Sequence, residues 1–297
     1  MVFVDILLPV FLLIGAGALF SRTLRPDLES LTLFALYAST PALVFSALVK
    51  HPVPAPALAR LVGVMLAYTV ALWALAEGIG LVLGLKGDLR RAFLLATVPM
   101  NVGNYGLPLV RFAFGQESEP FSVLVFVIFN IPLATWAIWM AAGGSLRSFA
   151  GVRDTLRIPI LHATVVAFVV SAAGLTVPSP LLKGITLLGE ASIPVLMVIL
   201  GMQLERTRVA GAPASLTAAT VLRLAVAPCI AWGLTAAFGY QGLERKVLIL
   251  QTSTPAAVLP LLYAMRFKCR PDWIASNLLV STLASAVSLS VVLALLL

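Results

Sequence analysis

Residues 98–110 read VPMNVGNYGLPLV and interrupt a long apolar segment with two asparagines, two glycines and two prolines. Proline removes a backbone N–H and clashes with the preceding helical turn, and glycine relaxes the backbone, so this run predicts an interrupted helix. Inside lipid an unpaired amide or carbonyl is costly, and irregular backbone is tolerated only where it lines a cavity enclosed by protein or filled with water. If the flanking sequence spans a membrane, the run therefore predicts a cavity within it.

The composition places the flanking sequence in a membrane. Of the 297 residues, 61% are hydrophobic and only 11% are charged, whereas about 25% are charged in an ordinary soluble domain. Apolar stretches of about 20 residues, the length of a spanning helix, recur along nearly the whole chain. We predict an all-α integral membrane protein with ten spanning segments, numbered one to ten, near residues 2–20, 28–49, 57–85, 89–114, 120–143, 158–177, 181–204, 213–238, 245–267 and 272–297.

The basic residues predict the orientation of these segments. Most Lys and Arg residues lie in the loops after the odd-numbered segments, and an excess of these residues marks cytoplasmic loops. With ten crossings, both termini are then expected on the extracytoplasmic side. Residues 2–20 lack a basic start, so we interpret them as the first spanning segment rather than a cleaved signal.

The chain also contains an internal repeat. STPALVF around Pro41 is similar to SIPVLMV around Pro194, and the Leu-Pro-Leu at Pro108 is similar to that at Pro260; both pairs are separated by about 150 residues. We predict two five-helix repeats, residues 1–143 and 158–297, joined by a short cytoplasmic linker at 144–157. Because five is odd, the second repeat enters from the opposite face, and such inverted repeats are typical of secondary transporters.

The repeat places a second interruption opposite the first. Residues 251–260, QTSTPAAVLP, interrupt segment nine as residues 98–110 interrupt segment four. A single proline kink beside an asparagine is usually a packing feature, but two matched interruptions point to a binding site. The half-helices that begin there present free amides and a partial positive charge, which favours an anion.

Three polar residues elsewhere in the spanning segments need an explanation. Arg223 lies near the bilayer midplane, where an arginine costs about 2.5–3.5 kcal/mol, so we expect it to pair with a carbonyl or an acid inside the protein. Glu190 in segment seven is a candidate for proton or sodium coupling, or faces an external vestibule. Gln203, in the same segment, is a further candidate for ion coupling, or caps the end of the segment.

The sequence does not favour an enzyme. We find no His-Glu-x-x-His zinc pattern, no nucleophile elbow and no paired carboxylates. The two cysteines, Cys229 and Cys269, form neither a disulfide framework nor a metal site. We therefore expect no cofactor, no metal and no nucleic-acid partner.

The motifs NVGNYGLPL in segment four and IPVLMVILGMQL in segment seven, with Arg223 and Pro228 in segment eight, resemble the auxin efflux carrier family. This family includes plant carriers of the PIN type and bacterial relatives, and it is related to the bile-acid/sodium symporters. The resemblance implies that segments four and nine cross at their breaks. It also implies a scaffold of segments one, two, six and seven, and a transport domain of segments three to five and eight to ten that moves by an elevator or rocking motion.

For the site, the resemblance implies that Asn101 and Asn104 bind a substrate carboxylate and that Pro108 and Pro255 hold the crossing open. The full set of expected substrate-binding residues is Asn101, Gly103, Asn104, Tyr105, Pro108, Thr252, Ser253, Thr254 and Pro255. The expected function is secondary-active transport of a small organic anion, either auxin-like or malate- or malonate-like, across a bacterial inner membrane by a homodimer. Two alternatives stay open: a sodium-coupled symporter of the bile-acid type, and a passive channel.

Overall fold

The computed structural model describes residues 3–143, 159–207 and 213–297. The predicted linker at 144–157 lies outside the described residues. Within the described ranges the regular secondary structure is helical, apart from one isolated β-bridge between Met100 and Ala256. The fold class expected from the composition, an all-α membrane protein, is confirmed.

The first half of the chain contains α1 (Leu8–Leu24), α2 (Leu28–Phe34), α3 (Thr40–Lys50), α4 (Ala55–Val82), α5 (Gly87–Thr97), α6 (Leu107–Phe114) and α7 (Glu119–Ala141). Three π-helical turns extend these helices: Phe3–Leu7 before α1, Ala35–Ser39 between α2 and α3, and Val102–Gly106 before α6. The π-turn at Val102–Gly106 runs directly into α6, so the two form one continuous helical stretch.

The second half contains α8 (Pro159–Ala172), α9 (Ser179–Glu190), α10 (Ser192–Glu205), α11 (Pro213–Val221), α12 (Ala227–Ala237), α13 (Gly242–Thr252), α14 (Leu259–Phe267) and α15 (Pro271–Leu296). A π-turn at Leu222–Val226 joins α11 to α12 and carries Arg223.

In the described part of the chain, seven helical stretches are long and apolar enough to cross a membrane, and they coincide with predicted segments one, two, three, five, seven, eight and ten. They are Val4–Leu24, Leu28–Lys50, Ala55–Val82, Gln116–Ala141, Ser179–Glu205, Ala214–Ala237 and Pro271–Leu296. Segments four and nine are divided into shorter helices by their interruptions, and α8, in segment six, has 14 described residues. Ten crossings therefore remain a prediction.

A capping residue marks the start of segment two. The carboxylate of Asp27 accepts hydrogen bonds from the N–H groups of Glu29 and Ser30, both at 3.1 Å, and from the Ser30 hydroxyl. These hydrogen bonds lower the pKa of the Asp27 carboxyl. The bond from the Ser30 hydroxyl has the largest effect on it. An N-cap of this kind satisfies amides of the first turn that have no helical partner.

Helices α1 and α10 approach each other through glycine. A Cβ atom on Gly17 would lie 2.2 Å from the carbonyl oxygen of Val198, and one on Gly201 would lie 1.9 Å from that of Ile14. Small residues allow membrane helices to pack backbone against backbone, where dispersion contacts replace the missing hydrophobic effect. Gly189 on α9 makes a similar approach, because its Cβ would lie 2.7 Å from the backbone of Leu43 on α3. Segments one, two and seven are thereby held in close contact.

Candidate functional site

The two interrupted stretches meet and bind each other through their main chains. Helix α5 ends at Thr97 and helix α13 ends at Thr252. Beyond these ends, the N–H of Asn101 donates to the carbonyl oxygen of Pro255 at 2.9 Å, and the N–H of Ala257 donates to that of Pro99 at 3.2 Å. These backbone groups at the breaks are thus satisfied within the protein, as a membrane requires. Both interruptions occur where the sequence predicts them.

Arg223 binds the ends of both half-helices. Its side chain is fully buried, and its Nε donates to the carbonyl oxygen of Thr254 at 3.0 Å. Nη1 reaches the carbonyl oxygens of Thr97 at 3.5 Å and Val98 at 3.4 Å, and Nη2 binds that of Thr252. The last carbonyls of a helix have no helical donor and carry its partial negative charge. The sequence predicts a carbonyl or an acid as the internal partner of Arg223. The structure shows that the partners are carbonyl oxygens.

Tyr68 on α4 completes this arrangement. Its buried hydroxyl accepts a hydrogen bond from Nη2 of Arg223 at 2.6 Å and donates one to the carbonyl oxygen of Thr252 at 3.0 Å. Sequence reasoning missed Tyr68, although a tyrosine within an apolar spanning segment has a hydroxyl that must find a partner when buried.

A cavity of about 150 Å³ lies beside the crossing, bounded by segments two, four, five, six, seven and nine. Its polar lining residues are neutral amides and hydroxyls: Thr32, Thr40, Asn101, Asn104, Asn130 and Gln203. The rest of the wall is mainly aliphatic, with one aromatic ring from Phe126. Among the described residues that line it, none carries a charge.

Asn101 belongs to the cavity lining and has an unpaired side-chain amide nitrogen. The residue is 4% exposed, and Nδ2 has no hydrogen-bond partner among the residues that the structure describes. Asn101 occupies the N-cap position of the π-turn, where an asparagine side chain commonly binds the first amides, yet its side chain makes no capping bond. The hydrogen bond to Pro255 fixes the backbone of Asn101, so a residue with a buried, unpaired donor is held in place in the cavity lining.

Two residues after Asn101 also line the cavity. Gly103 and Asn104 line it and lie in the first turn of the helical stretch that continues into α6. A Cβ on Gly103 would lie 2.9 Å from the ring of Phe126, so glycine allows this ring to pack against the turn. Amides in a first helical turn have no helical acceptor, and the N–H of Val102 donates instead to the carbonyl oxygen of Met100 at 2.9 Å.

Segment nine contributes an apolar wall instead of its hydroxyl groups. The hydroxyl of Ser253 donates to the carbonyl oxygen of Ile249 at 2.6 Å, and that of Thr254 donates to Gln251 at 2.7 Å. The hydroxyl of Thr252 likewise donates within its own helix, to Leu248 at 2.7 Å. In place of Thr252–Pro255, the cavity is lined by Ala257, Val258, Leu259 and Leu262.

Two other expected site residues also lie away from the cavity lining. Tyr105 is buried on another side of the turn, where its hydroxyl lies 3.1 Å from Oγ of Ser285 and its ring meets the edge of Phe11. Pro108 is the second residue of α6, inside the helical stretch that starts at Val102.

The two candidate residues in segment seven lie in different surroundings. Glu190 is the last residue of α9 and is exposed, whereas Gln203 lines the cavity. Asn130, which sequence reasoning missed, lines it too and donates from Nδ2 to the carbonyl oxygen of Phe126 at 2.7 Å. A lone asparagine in an apolar segment was the available signal for Asn130.

Comparisons with known proteins identify the family of the chain. The chain matches the family described as membrane transport proteins over residues 145–293, which is half of its length. An uncharacterized transporter of Methanothermobacter thermautotrophicus is 27% identical over 277 residues, which cover 89% of this chain and 87% of that protein. One from Methanocaldococcus jannaschii is 24% identical over 204 residues, which cover 67% of this chain and 66% of that protein, just under two thirds of its length. The chain therefore belongs to the membrane transport protein family, the auxin efflux carrier family that its motifs resemble.

Proposed function

We propose that the protein is a secondary-active transporter of small organic anions, whose carboxylate binds at Asn101 and the adjoining first turn. The observation that carries this proposal is the buried Nδ2 of Asn101, which has no partner among the described residues and belongs to a residue of the cavity lining. A buried donor left unpaired costs about 1–3 kcal/mol. A carboxylate oxygen recovers this cost when it enters the cavity.

The charge of the anion would be stabilised by backbone dipoles. The helical stretch that starts at Val102 directs its N-terminus towards Asn101, and a helix N-terminus carries roughly half a positive charge. No charged side chain belongs to the described lining. Partial charges bind an anion without holding it as tightly as a fixed ion pair, which suits a carrier that must release its substrate on the other side.

The cavity favours one carboxylate on an apolar body. A volume of about 150 Å³ is that of a cavity known to hold a benzene molecule. A second carboxylate would meet a wall that is mainly aliphatic, with Leu196, Ile199 and Leu262 among its residues, and an incompletely paired buried charge is strongly unfavourable. Of the two substrate classes expected from the resemblance, the cavity therefore supports the auxin-like monocarboxylates over malate or malonate.

An inverted repeat of two five-helix halves is part of the proposal. It is supported by the two crossing interruptions and by a contact between the repeated motifs around Pro41 and Pro194, since Oγ1 of Thr40 and Oγ of Ser192 lie 2.8 Å apart. We assign segments one, two, six and seven to a scaffold, and the rest to a transport domain that moves against it. The cavity is bounded by both groups, so such a motion would expose it to each side in turn.

Arg223 argues against the sodium-coupled alternative. Carbonyl oxygens at helix ends are ligands for a monovalent cation in transporters with broken helices, and here a guanidinium already binds four of them. We propose a cycle that needs no sodium. The passive channel stays the second alternative.

We also propose that the protein lies in the inner membrane, with both termini on the extracytoplasmic side, and that it forms a homodimer.

A thermal-shift screen of the purified protein tests it. Phenylacetate and malonate are each added at several concentrations, in sodium chloride and in N-methylglucamine chloride of equal ionic strength. A ligand that binds the folded state raises its melting temperature. We expect phenylacetate to stabilise the protein equally in both salts and malonate to have little effect. Stabilisation that requires sodium would support the symporter, and stabilisation by malonate alone would overturn the proposed substrate class.

A further inference from the structure

The cavity lies towards one end of the segments that bound it. In segment two the lining residues lie between positions 32 and 40, and in segment seven they lie between positions 196 and 203. Segment two starts at that end and segment seven finishes there, because the two run in opposite directions. In the orientation predicted from the basic residues, this end is cytoplasmic.

The other end of these segments is packed. Leu43, Val44 and Leu48 on α3 are at most 2% exposed, and Val123 and Leu124 near the start of α7 are at most 1% exposed. The five side chains belong to one buried apolar cluster, and α3 packs against α7. We call this contact the seam. In the proposed function α3 belongs to the scaffold and α7 to the transport domain, so the seam joins the two.

Charged residues lie at the packed end, beside the seam. Nη1 of Arg111 near the end of α6 lies 3.1 Å from Oε2 of Glu119 at the start of α7, and the two side chains are only 25% and 19% exposed. The Glu119 carboxylate also interacts electrostatically with Lys50, His51 and Glu190. Lys50 ends α3, His51 follows it, and Glu190 ends α9, so these three residues belong to the scaffold.

The interactions of Glu119 differ in what they join. Arg111 and Glu119 both belong to the transport domain, so their ion pair moves with it. The attraction of Glu119 to Lys50 crosses from one domain to the other, as does the attraction to a protonated His51, and the repulsion from Glu190 opposes them. Partly buried charges are screened less by salt than exposed ones. An attraction that is present only when the seam is closed shifts the population towards that state.

We propose that Glu119 is a gate residue, whose attraction to Lys50 holds the seam closed on the side of the crossing away from the cavity. This inference rests on the proposed division into a scaffold and a transport domain. It does not depend on which anion is carried. Opening the seam separates Glu119 from Lys50 and gives the crossing access to the other side of the membrane.

The test measures how often the seam opens. In a background without the two native cysteines, spin labels are attached at Gln116→Cys and Lys183→Cys, which are exposed positions of the transport domain and the scaffold at the packed end. Double electron–electron resonance on the ligand-free protein in liposomes resolves a short distance for the closed seam and a longer one for the open seam. We expect Glu119→Gln to raise the ratio of open to closed molecules about threefold.

A charge reversal enlarges the effect. Glu119→Lys places another cation beside Arg111 and Lys50, and we expect it to raise the open fraction further than Glu119→Gln does. Glu117→Lys is the matched control, because it makes the same change of charge at an exposed residue two positions away. Glu117→Lys should leave the distance distribution as in the wild type.

Lys50→Gln separates a direct charge interaction from a structural role. With Glu119 present it removes an attraction, so it should raise the open fraction. Combined with Glu119→Lys it removes a repulsion, so it should lower the open fraction. A residue needed only for packing would act in the same direction in both backgrounds.

The outcomes separate this inference from the proposed function. Distances that Glu119→Gln and Glu119→Lys leave unchanged would overturn the gate, and the carrier would stand if phenylacetate still stabilises the protein. Lys50→Gln acting in the same direction in both backgrounds would overturn the gate as well. If phenylacetate does not bind, the proposed substrate class fails, and the distances still decide whether Glu119 holds the seam.

Discussion

The hydroxyl of Tyr68 and the guanidinium of Arg223 lie 2.6 Å apart, and both groups bind the carbonyl oxygen of Thr252. Arg223 also reaches Thr97 and Val98 at the end of the other half-helix. One side chain from segment eight therefore connects the ends of α5 and α13. A buried charge that is costly in lipid is satisfied by dipoles that the breaks leave unpaired.

Replacing Arg223 should destabilise the crossing. Arg223→Met removes the Arg223 donor from the carbonyl oxygens of Thr97, Val98 and Thr254, and we expect a loss of about 3 kcal/mol or more in the free energy of unfolding. Tyr68→Phe removes one donor and one acceptor, and we expect a loss of about 1 kcal/mol. In detergent, the melting temperature should therefore be highest for the wild type, lower for Tyr68→Phe and lowest for Arg223→Met. An Arg223→Met variant that melts at the wild-type temperature would contradict this role.

Glycine contacts between α1 and α10 provide a second test. Gly201→Ala places a methyl group 1.9 Å from the carbonyl oxygen of Ile14, whereas a Cβ on Gly15 meets no atom within 4 Å. We expect Gly201→Ala to lower the melting temperature and the yield of folded protein. Gly15→Ala is the matched control and should be neutral or slightly stabilising, because alanine favours the helix by about 1 kcal/mol over glycine. Equal effects of the two changes would show that close packing at Gly201 is unimportant.

The proposed orientation can be tested with two exposed loop positions. In a background with Cys229→Ser and Cys269→Ser, single cysteines are introduced as Gln116→Cys and Lys86→Cys, both at exposed residues. On intact cells an impermeant maleimide should label the cysteine at position 116 and leave the one at position 86 unlabelled until the membrane is opened. The reverse pattern would invert the topology predicted from the basic residues.

Much of the fold is readable from local sequence. Helix length and apolar composition predict spanning segments, because a helix must satisfy its own backbone in lipid. Proline, glycine and asparagine around Asn101 predict the first interruption, and the repeat predicts the second near Pro255. The charge of Arg223 predicts an internal partner, since no lipid group could satisfy it at that depth.

The direction of a side chain at an irregular backbone is not readable in the same way. Thr252, Ser253 and Thr254 were expected to face the ligand, but their hydroxyls bind carbonyls of their own helix. A short hydroxyl side chain can bind its own backbone or a ligand, and only the tertiary structure decides between them. Gln203 illustrates the converse case, because a residue at a helix end reaches the cavity through the packing of α10 against segments two and four.

The most direct test of the carboxylate site is binding of radiolabelled phenylacetate to purified wild-type protein, Asn101→Ala, Asn101→Asp and, as an exposed amide control, Gln116→Ala. We expect Asn101→Ala to weaken binding by about tenfold or more, because a hydrogen bond to a charged group contributes about 1.5–3 kcal/mol. It should melt no lower than the wild type, since Nδ2 has no partner to lose among the described residues. Asn101→Asp should not bind, because it opposes two carboxylates, and Gln116→Ala should bind normally. Wild-type affinity in Asn101→Ala would contradict the account.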